Sequence, residues 1–310
     1  MFSKRKIMSS TKPKSEQFAE ACAFAAEKIA DAEAIMVGLG AGMSAAAGYT
    51  YSGERFEKSF SDFAARYGIQ DMYSGGFYPF RTLEEYWAWW SRQIQINRYE
   101  DAGGSAYKDL AAILAGRNYF ILSTNVDHQV QLAGMDKRRL FYTQGDMGLF
   151  QCSVPCRQET YDNKKTVEKM LREQKDMKIP SDLIPYCPHC GKPMTMNLRI
   201  DDRFVQDKGW HNAAARYEKF LRENAGRRIL YLEIGVGANT PGIIKYNFWQ
   251  QTLANPHAFY ITINQDDARF PQDLAGQAAG FQVDAAVFLE GIKMDLQEAA
   301  DLEAGEKPAK

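Results

Sequence analysis

The sequence predicts an α/β fold: a Rossmann-like, doubly wound parallel sheet with a smaller zinc-ribbon and helical domain formed by insertions. Short apolar runs that end in Gly, Asn, Asp or Thr recur along the chain, with helix-compatible segments between them. Two stretches, 49–109 and 151–199, interrupt this rhythm. The second stretch contains two close pairs of cysteines, a pattern that favours a metal site over disulfide bonds.

Composition and charge narrow the classes of partner. The chain has 310 residues, of which 45% are hydrophobic, and its 38 Lys and Arg nearly balance its 39 Asp and Glu. We therefore expect no nucleic-acid or membrane partner. The start "MFSKRKIMSSTKPK" has no apolar signal core, so a cytoplasmic protein with flexible tails at 1–13 and 301–310 is predicted. A transit peptide is the alternative for the first tail.

The elements follow in chain order. An amphipathic helix is predicted over Lys14–Asp31, because Phe18, Cys22, Ala25 and Ile29 recur at helical spacing. A buried strand over 34–38 then enters a glycine-rich turn, and a helix begins after Met43. Further buried strands are predicted at 119–127, 227–237, 257–264 and 284–291, and further helices at 163–177 and 209–223.

The glycine-rich turn suits a phosphate group. Gly38, Gly40 and Gly42 let the backbone turn sharply and approach a pyrophosphate at the start of a helix. The strict GxGxxG pattern fails, because Met43 stands at its third glycine. The same sheet edge receives Asn125 and Asp127 from the strand over 119–127. These side chains can hold a carboxamide and a ribose, or they can form a local Asx-type turn.

The cysteines predict a structural zinc site. Cys152 and Cys156 are separated by three residues, Cys187 and Cys190 by two, and four thiolates suit tetrahedral Zn²⁺. Thirty residues separate the pairs, more than the usual spacing of about 15 to 20, so the helix over 163–177 is interpreted as an insertion. Free or redox-active cysteines are the alternative. His189, between the last two cysteines, is interpreted as a bystander.

An aromatic segment, "EEYWAWWSRQIQINRY", lies in the first insertion. Tyr86, Trp89 and Trp90 share one face of a helix, and Trp87 lies beside them. Packing in the core of the small domain is the main interpretation. A groove for a partner protein is the alternative.

Six motifs, in the same order over almost the whole chain, resemble the sirtuin family. They are "GAGMSAAAG", "TNVDHQVQLAG", "QGDMGLFQC", the two cysteine pairs, "EIGVGANTP" and "ITIN". The resemblance implies that NAD is a consumed co-substrate, whose nicotinamide–ribose bond is broken. It also implies an NAD-binding domain made of 14–48, 110–150 and 200–300, and a small domain made of 49–109 and 151–199.

The resemblance also implies a set of cofactor-binding residues. Ala41, Gly42 and Ser44 are expected to border the phosphates, and Asn125 and Asp127 the nicotinamide and its ribose. Gly235, Val236 and Asn264 are expected near the adenosine half. The full expected set is Gly40, Ala41, Gly42, Ser44, Arg55, Phe56, Asn125, Asp127, Gly235, Val236 and Asn264.

The chain departs from deacylating sirtuins at three places. Gln144 replaces the catalytic His of the family, and a neutral amide has no usable basicity near pH 7. Arg199 stands where the wall of the acyl-lysine channel is normally apolar; a surface ion pair with Asp201 or Asp202 is the other interpretation. In "YTYSGERF", Arg55 and Phe56 follow an insertion and are expected to cover the cofactor. Tyr49 and Tyr51 in this loop either have a role at the site or pack against the small domain.

These departures resemble the class M, macrodomain-linked branch of microbial sirtuins, which implies a protein ADP-ribosyltransferase. Asn125, Gln144 and Arg199 are the expected catalytic residues. The implied acceptor protein is a lipoylated carrier related to glycine-cleavage H protein, and a macrodomain ADP-ribosyl hydrolase is a further implied partner. A deacylase that uses His128 or substrate assistance, and a catalytically silent NAD or ADP-ribose sensor, are the alternatives.

Overall fold

A six-stranded parallel sheet forms the centre of the computed structural model, which describes residues 2–3, 14–237 and 241–305. Its strand order is β11-β9-β8-β2-β3-β4, and every pairing is parallel. A three-stranded antiparallel sheet has the order β6-β5-β7, and β1 pairs with β10. The strands are β1 (Phe2–Ser3), β2 (Ala34–Leu39), β3 (Tyr119–Ser123), β4 (Leu140–Tyr142), β5 (Gly145–Cys152), β6 (Thr160–Asp162), β7 (Met194–Leu198), β8 (Ile229–Ile234), β9 (Phe259–Ile263), β10 (Phe270–Pro271) and β11 (Ala278–Phe281).

Helices cover both faces of the six-stranded sheet. They are α1 (Lys14–Asp31), α2 (Ala41–Ala46), α3 (Glu54–Tyr67), α4 (Met72–Gly76), α5 (Leu83–Ile94), α6 (Ala106–Leu114), α7 (Gln129–Leu132), α8 (Lys164–Glu173), α9 (Lys208–Glu223), α10 (Lys245–Ala254) and α11 (Ala285–Gly305). Along β2, Ile35 and Val37 pack towards α1, α6 and α11, whereas Ala34 and Met36 pack towards α9 and α10. This alternation buries both faces and confirms the doubly wound fold.

Most predicted elements are observed, and α1 has the predicted bounds. The predicted strand over 284–291 is wrong, because this segment begins helix α11 and the edge strand is β11. The carboxylate of Asp284 accepts hydrogen bonds from two backbone N–H groups of the first turn, which is how a helix is capped. The buried residues Ala285, Phe288, Leu289 and Ile292 repeat at helical spacing. The apolar run was therefore one face of a helix.

The aromatic segment forms the core of the small domain, as predicted. Trp87 and Trp89 on α5 are fully buried, and the rings of Phe60 and Trp89 lie 4.2 Å apart between centroids. Trp87 faces the ribbon sheet, where its ring lies 4.8 Å from that of Phe150. Because α5 is covered on both sides, Trp87 is buried as well as Trp89 and Trp90 of the predicted face, whereas Tyr86 is half-buried.

Two loops of the large sheet pack backbone against backbone. A Cβ atom on Gly40 would lie 2.5 Å from the carbonyl oxygen of Gly235, and one on Gly42 would lie 2.7 Å from the Cα of Gly235. Gly235 itself has a φ of 64°, a conformation that favours glycine. These glycines allow the loops after β2 and β8 to meet, which is a structural reason for the glycine-rich turn besides phosphate binding.

The chain ends are only partly described. Residues 4–13 of the predicted first tail and 306–310 of the second lie outside the described residues, whereas 301–305 continue α11. Two predicted domain boundaries, near 110 and 150, fall inside α6 and β5, so the division into domains stays a prediction. Within the described part of the chain, no helix is long and apolar enough to cross a membrane.

Candidate functional site

A cavity of about 560 Å³ lies at the carboxyl ends of β2 and β3, beneath the small domain. In the sheet, β3 lies on one side of β2 and β8 lies on the other. The strand order therefore reverses at β2, and the cavity lies at this point. Open α/β sheets bind ligands at such a point. Seven of the predicted site residues line it: Ala41, Gly42, Ser44, Asn125, Asp127, Gln144 and Arg199.

A chain of hydrogen bonds crosses the floor of this cavity. Ser44 donates its only hydroxyl proton to Asp127, so its 2.9 Å contact with Tyr107 requires the tyrosine hydroxyl to donate. The tyrosine oxygen in turn accepts from the side-chain amide of Asn125, at 3.2 Å. The donors therefore run in one direction, from Asn125 through Tyr107 and Ser44 to the carboxylate.

The chain of hydrogen bonds orients the amide of Asn125. Its Nδ2 donates to the carbonyl oxygen of Gly40 at 2.9 Å as well as to Tyr107. Its Oδ1 accepts no hydrogen bond from any residue that the structure describes. The amide thus offers an acceptor to a ligand in the cavity.

The carboxylate of Asp127 is almost completely buried. Burial raises its pKa, and the hydrogen bond from Ser44 opposes this effect. The backbone N–H of Gln129 also donates to it, at 3.1 Å. Tyr107 is buried beside it, and burial and the nearby carboxylate raise the pKa of its hydroxyl well above the usual value. Asp127 places one negative charge at the floor of the cavity when it is ionised.

Gln144 and Arg199 meet on the wall made by the small domain. The backbone N–H of Arg199 donates to the carbonyl oxygen of Gln144 at 2.9 Å. The guanidinium of Arg199 is exposed and lies 5.8 Å from the centre of the Phe204 ring. Asp201, one of its two suggested ion-pair partners, instead bonds Arg203 at 2.5 Å. No ion pair to Arg199 is present among the described residues.

His128, the alternative base, does not line this cavity. His128 lines a separate, much smaller cavity, and its Nδ1 lies 2.7 Å from Asp146. Arg98 contacts the same carboxylate at 2.7 Å. His128 has a φ of 68°, so the backbone turns away after Asp127. This ion-pair network ties the start of β5 to the loop after β3 and gives His128 a structural role.

The pH dependence of stability tests this network. Burial by itself raises the pKa of Asp146, but its hydrogen bonds and charge interactions with His128 and Arg98 prevail and lower the pKa to about 2. A lowered carboxylate pKa contributes stability above pH 4 that is lost as the pH falls towards 2. We expect Asp146→Asn to lose about 2 kcal/mol less than the wild type over this range, measured by urea unfolding. Equal losses would contradict the assignment.

Arg55 and Phe56 do not line the cavity. Arg55 donates to Asn97 at 2.6 Å and to the carbonyl oxygen of Ile96, and Phe56 stacks on Phe60 in the core of the small domain. Their direct contact with a cofactor stays a prediction, and these contacts favour a role in holding the loop. The hydroxyl of Tyr49 makes hydrogen bonds with the backbone of the segment before α6, which agrees with the packing interpretation. Tyr49 and Tyr51 also line the cavity.

The predicted adenosine-side residues lie at the ends of β8 and β9. Asn264 donates to the carbonyl oxygen of Val236 at 3.0 Å and accepts two backbone N–H groups of its own loop. Gly235 is the glycine that contacts the turn after β2. Asn264 therefore joins the loops after β8 and β9, and a direct contact of these residues with adenosine stays a prediction.

The four cysteines form one cluster, in which all sulfur atoms lie within 4.8 Å of one another. Two of the distances, Cys152–Cys190 and Cys156–Cys187, are 3.5 Å. Tetrahedral zinc with bonds of about 2.3 Å separates its sulfur ligands by about 3.8 Å, so the cluster fits a closed structural zinc site. His189 instead contacts Glu159, at 3.0 Å, as expected of a bystander.

The zinc ribbon connects this cluster to the cavity. Strand β5 begins next to Gln144 and ends at Cys152, and its partner β7 ends next to Arg199. Gly145 pairs with Leu198 at the cavity end, and Cys152 pairs with Met194 at the cysteine end. A metal held at one end of this ribbon therefore keeps both predicted catalytic residues in place at the other.

Sequence analysis missed two polar residues of the site, Tyr107 and Gln93. Tyr107 lies on the buried face of α6, where its position among apolar residues indicated only packing. Gln93 lies on α5 within the aromatic segment and lines the cavity. For both residues, the signal in the sequence was a polar side chain on a helix face that is otherwise apolar.

Two proteins are similar to this chain in sequence. A Staphylococcus aureus protein named protein ADP-ribosyltransferase is 39% identical over 247 residues, which cover 79% of this chain and 78% of that protein. A Fusarium oxysporum f. sp. cubense protein named probable bifunctional ADP-ribose hydrolase/ADP-ribosyltransferase is 29% identical over 237 residues. This match covers 72% of this chain but only 38% of that protein. No protein-family model matches the chain.

Solved structures of Sir2 proteins share the fold. A Sir2 homologue in complex with NAD superposes with a TM-score of 0.58 at 17% identity, covering 89% of this chain and 94% of that one. A second structure, solved to explain the mechanism and regulation of Sir2 enzymes, superposes with a TM-score of 0.57 at 19% identity. The match covers 90% of this chain and 99% of that one.

Proposed function

This chain belongs to the sirtuin family, and we propose that it is an NAD-dependent protein ADP-ribosyltransferase. The observation that carries the proposal is the cavity, in which Asn125, Asp127 and Gln144 converge without a histidine. The name of the Staphylococcus aureus relative supports the reaction. Transfer breaks the bond between nicotinamide and the ribose carbon of NAD, and joins that carbon to a nucleophile of the acceptor, which loses its proton.

The residues at the floor of the cavity have the chemistry for the first half of this reaction. Positive charge develops on the ribose as nicotinamide leaves, and a buried carboxylate at Asp127 stabilises such charge. Ser44 donates to that carboxylate and fixes its orientation, and Tyr107 in turn holds Ser44 through a second hydrogen bond. The oxygen of Asn125 is available to hold a ribose hydroxyl or the departing carboxamide.

Gln144 favours transfer over deacylation. A deacylase needs a base that removes a proton from a ribose hydroxyl, and loss of such a base costs about 10² to 10⁴ in rate. The amide of Gln144 can orient a hydroxyl but cannot accept its proton at neutral pH. His128 does not line this cavity, and its Nδ1 is paired with Asp146. The exposed Arg199 at the cavity wall is suited to bind an anionic group of the acceptor.

We assign the acceptor to a lipoylated carrier protein related to glycine-cleavage H protein, on the resemblance to class M sirtuins. An ADP-ribosyl hydrolase of the macrodomain type is the proposed partner that reverses the modification. The name of the Fusarium protein, which combines an ADP-ribose hydrolase with an ADP-ribosyltransferase, supports this pairing. The extra length of that protein leaves room for a second domain.

Intact mass spectrometry tests the proposal. Purified protein, NAD and the lipoylated carrier are expected to yield carrier with one added ADP-ribose unit, together with free nicotinamide. The variant with both Asn125→Ala and Gln144→Ala is expected to yield neither. Transfer that persists in the double variant, or deacylation of lysine peptides without transfer, would overturn the assignment.

A further inference from the structure

Gln144 is held in the cavity wall through its backbone. It lines the cavity, but its side-chain amide makes no hydrogen bond to any residue that the structure describes. The backbone around it is fixed: the N–H of Thr143 donates to the carbonyl oxygen of Ser123 at 2.9 Å, and the N–H of Met147 donates to that of Val126 at 3.0 Å. The direction of the Gln144 amide therefore depends on how the start of β5 is held.

The carboxylate of Asp146, two residues after Gln144, holds this part of the chain. Its Oδ1 accepts hydrogen bonds from Nε of Arg98 at 2.7 Å and from the backbone N–H of Gly148 at 2.6 Å. Its Oδ2 lies 2.7 Å from Nδ1 of His128. The side chains of Arg98 and Asp146 are only 14% and 7% exposed, so the loss of either one leaves a buried charge without its partner. We call Arg98, His128 and Asp146 the carboxylate clamp.

The carboxylate clamp joins three parts of the molecule. Arg98 belongs to a π-helical turn (Gln95–Tyr99) that continues α5, His128 follows Asp127 in the loop after β3, and Asp146 lies at the start of β5. None of the three lines the large cavity. His128 and Asp146 line the small cavity, which Asp127 lines as well. The clamp thus lies outside the large cavity but against its polar floor.

The π-helical turn reaches β5 at a second place. The hydroxyl of Tyr99 donates to Oδ1 of the fully buried Asn163 at 2.7 Å, and Nδ2 of Asn163 donates to the carbonyl oxygen of Met147 at 2.8 Å. A Cβ atom on Gly148 would lie 2.9 Å from Nε of Arg98, so the guanidinium packs directly against the backbone of β5. Turns of this kind are frequent at functional sites. The end of the aromatic segment therefore helps to hold the start of β5.

We propose that Asp146 is a positioning residue for the transfer reaction, because the carboxylate clamp sets the place of Gln144 relative to Asp127. The inference rests on the proposed function and adds a residue that acts through Gln144, outside the cavity that binds the substrates. A displacement of about 1 Å near a reacting centre costs about 10² in rate. Loss of the clamp therefore lowers kcat and leaves the KM for NAD unchanged.

Steady-state transfer to the carrier tests the positioning role. Asp146→Asn keeps the shape of the side chain and removes its charge, and it is expected to lower kcat about 10- to 100-fold while the KM for NAD changes less than about twofold. Asp109→Asn is the matched control. Asp109 is also buried and pairs with Lys293 at 2.6 Å, but it does not line the cavity, so its kcat should be that of the wild type. Equal kcat in the two variants would overturn the inference.

A double-mutant cycle tests whether Asp146 acts through Gln144. Single-turnover transfer from adenine-labelled NAD makes the slow variants measurable. In the Gln144→Ala background, Asp146→Asn is expected to have no further effect on the rate, because the amide that it positions is absent. Equal falls in the two backgrounds would show a general structural role and would also overturn the inference.

Two variants of Arg98 test the clamp from its other side, including the case in which Asp146→Asn does not fold. Arg98→Lys and Arg98→Met have side chains of similar length, but only lysine keeps the charge. The lysine variant is expected to retain a severalfold higher kcat than the methionine variant at the same KM for NAD. Equal kcat in the two variants would contradict the role of the ion pair.

Hydrogen exchange gives a readout that needs no turnover. The backbone N–H groups of Met147 and Arg199 donate to the carbonyl oxygens of Val126 and Gln144. In Asp146→Asn they are expected to exchange about tenfold faster, whereas the N–H groups of β8 keep their rates. Unchanged exchange would overturn the clamp itself. Faster exchange in a protein whose wild type transfers nothing to the carrier would instead contradict the proposed function alone.

Discussion

Asn125→Ala is expected to lower the kcat of ADP-ribose transfer about 10²- to 10³-fold, the usual effect of removing one preorganised polar group at a reacting centre. The physical reason is that two hydrogen bonds from Nδ2, to Gly40 and Tyr107, hold the amide so that its oxygen faces the cavity. The substitution removes this oxygen and also leaves Tyr107 without a donor. Single-turnover release of nicotinamide measures the effect on the first chemical step.

The control for this prediction is Asn247→Ala. Asn247 also donates its Nδ2 to a tyrosine hydroxyl, that of Tyr217, at 2.9 Å, but it lies on α10 away from the cavity. Both variants lose hydrogen bonds worth about 1 kcal/mol each, so similar small shifts in Tm are expected. Only Asn125→Ala should lose activity. Equal kcat in the two variants would remove Asn125 from the catalytic site.

Cys187→Ser is expected to release zinc and to destabilise the small domain by more than about 4 kcal/mol, because loss of a structural metal is among the largest single-residue effects. The effect should extend to activity. Strands β5 and β7 run from the cysteine cluster to Gln144 and Arg199, so a ribbon that unfolds at one end displaces both residues at the other. Metal analysis, thermal unfolding and transfer assays measure the three consequences.

Cys22→Ser provides the matched control. Cys22 is buried on α1, outside the cluster, and burial, with a smaller contribution from Asp295, raises the pKa of its thiol to about 12. The control should keep its zinc and its activity and lose only the stability of a small packing defect. A Cys187→Ser protein that retains the stability of the wild type would instead support the free or redox-active interpretation of the cysteines.

Sequence analysis was most successful where the signal is local. The bounds of α1 follow from apolar residues one helical turn apart, and the cysteine cluster follows from two short spacings. The motifs after β2 and β3 were expected at one sheet edge, because parallel strands end on the same side. Asn125, Asp127 and Ser44 line one cavity for that reason.

The errors and omissions arise where local chemistry is ambiguous. The run over 284–291 contains apolar residues that suit either a strand or one face of a helix, and the cap at Asp284 decided for the helix. Phe56, predicted to cover the cofactor, stacks on Phe60 in the core of the small domain, and its contact with the cofactor stays a prediction. The conformation of an apolar run and the position of an aromatic side chain depend on which surfaces of the folded chain they can pack against.

The sequence by itself determined the fold class, the four cysteines and the replacement of the family's catalytic histidine by Gln144, because each is a property of residue type and short spacing. Only the tertiary structure decided which side chains, distant in sequence, form hydrogen bonds and ion pairs with one another. It joined Tyr107 to Ser44 and Asn125, paired His128 with Asp146 outside the main cavity, and brought Gln93 of α5 into the lining of that cavity. Hydrogen-bond partners far apart in the chain meet only after packing has set the distances and directions between elements.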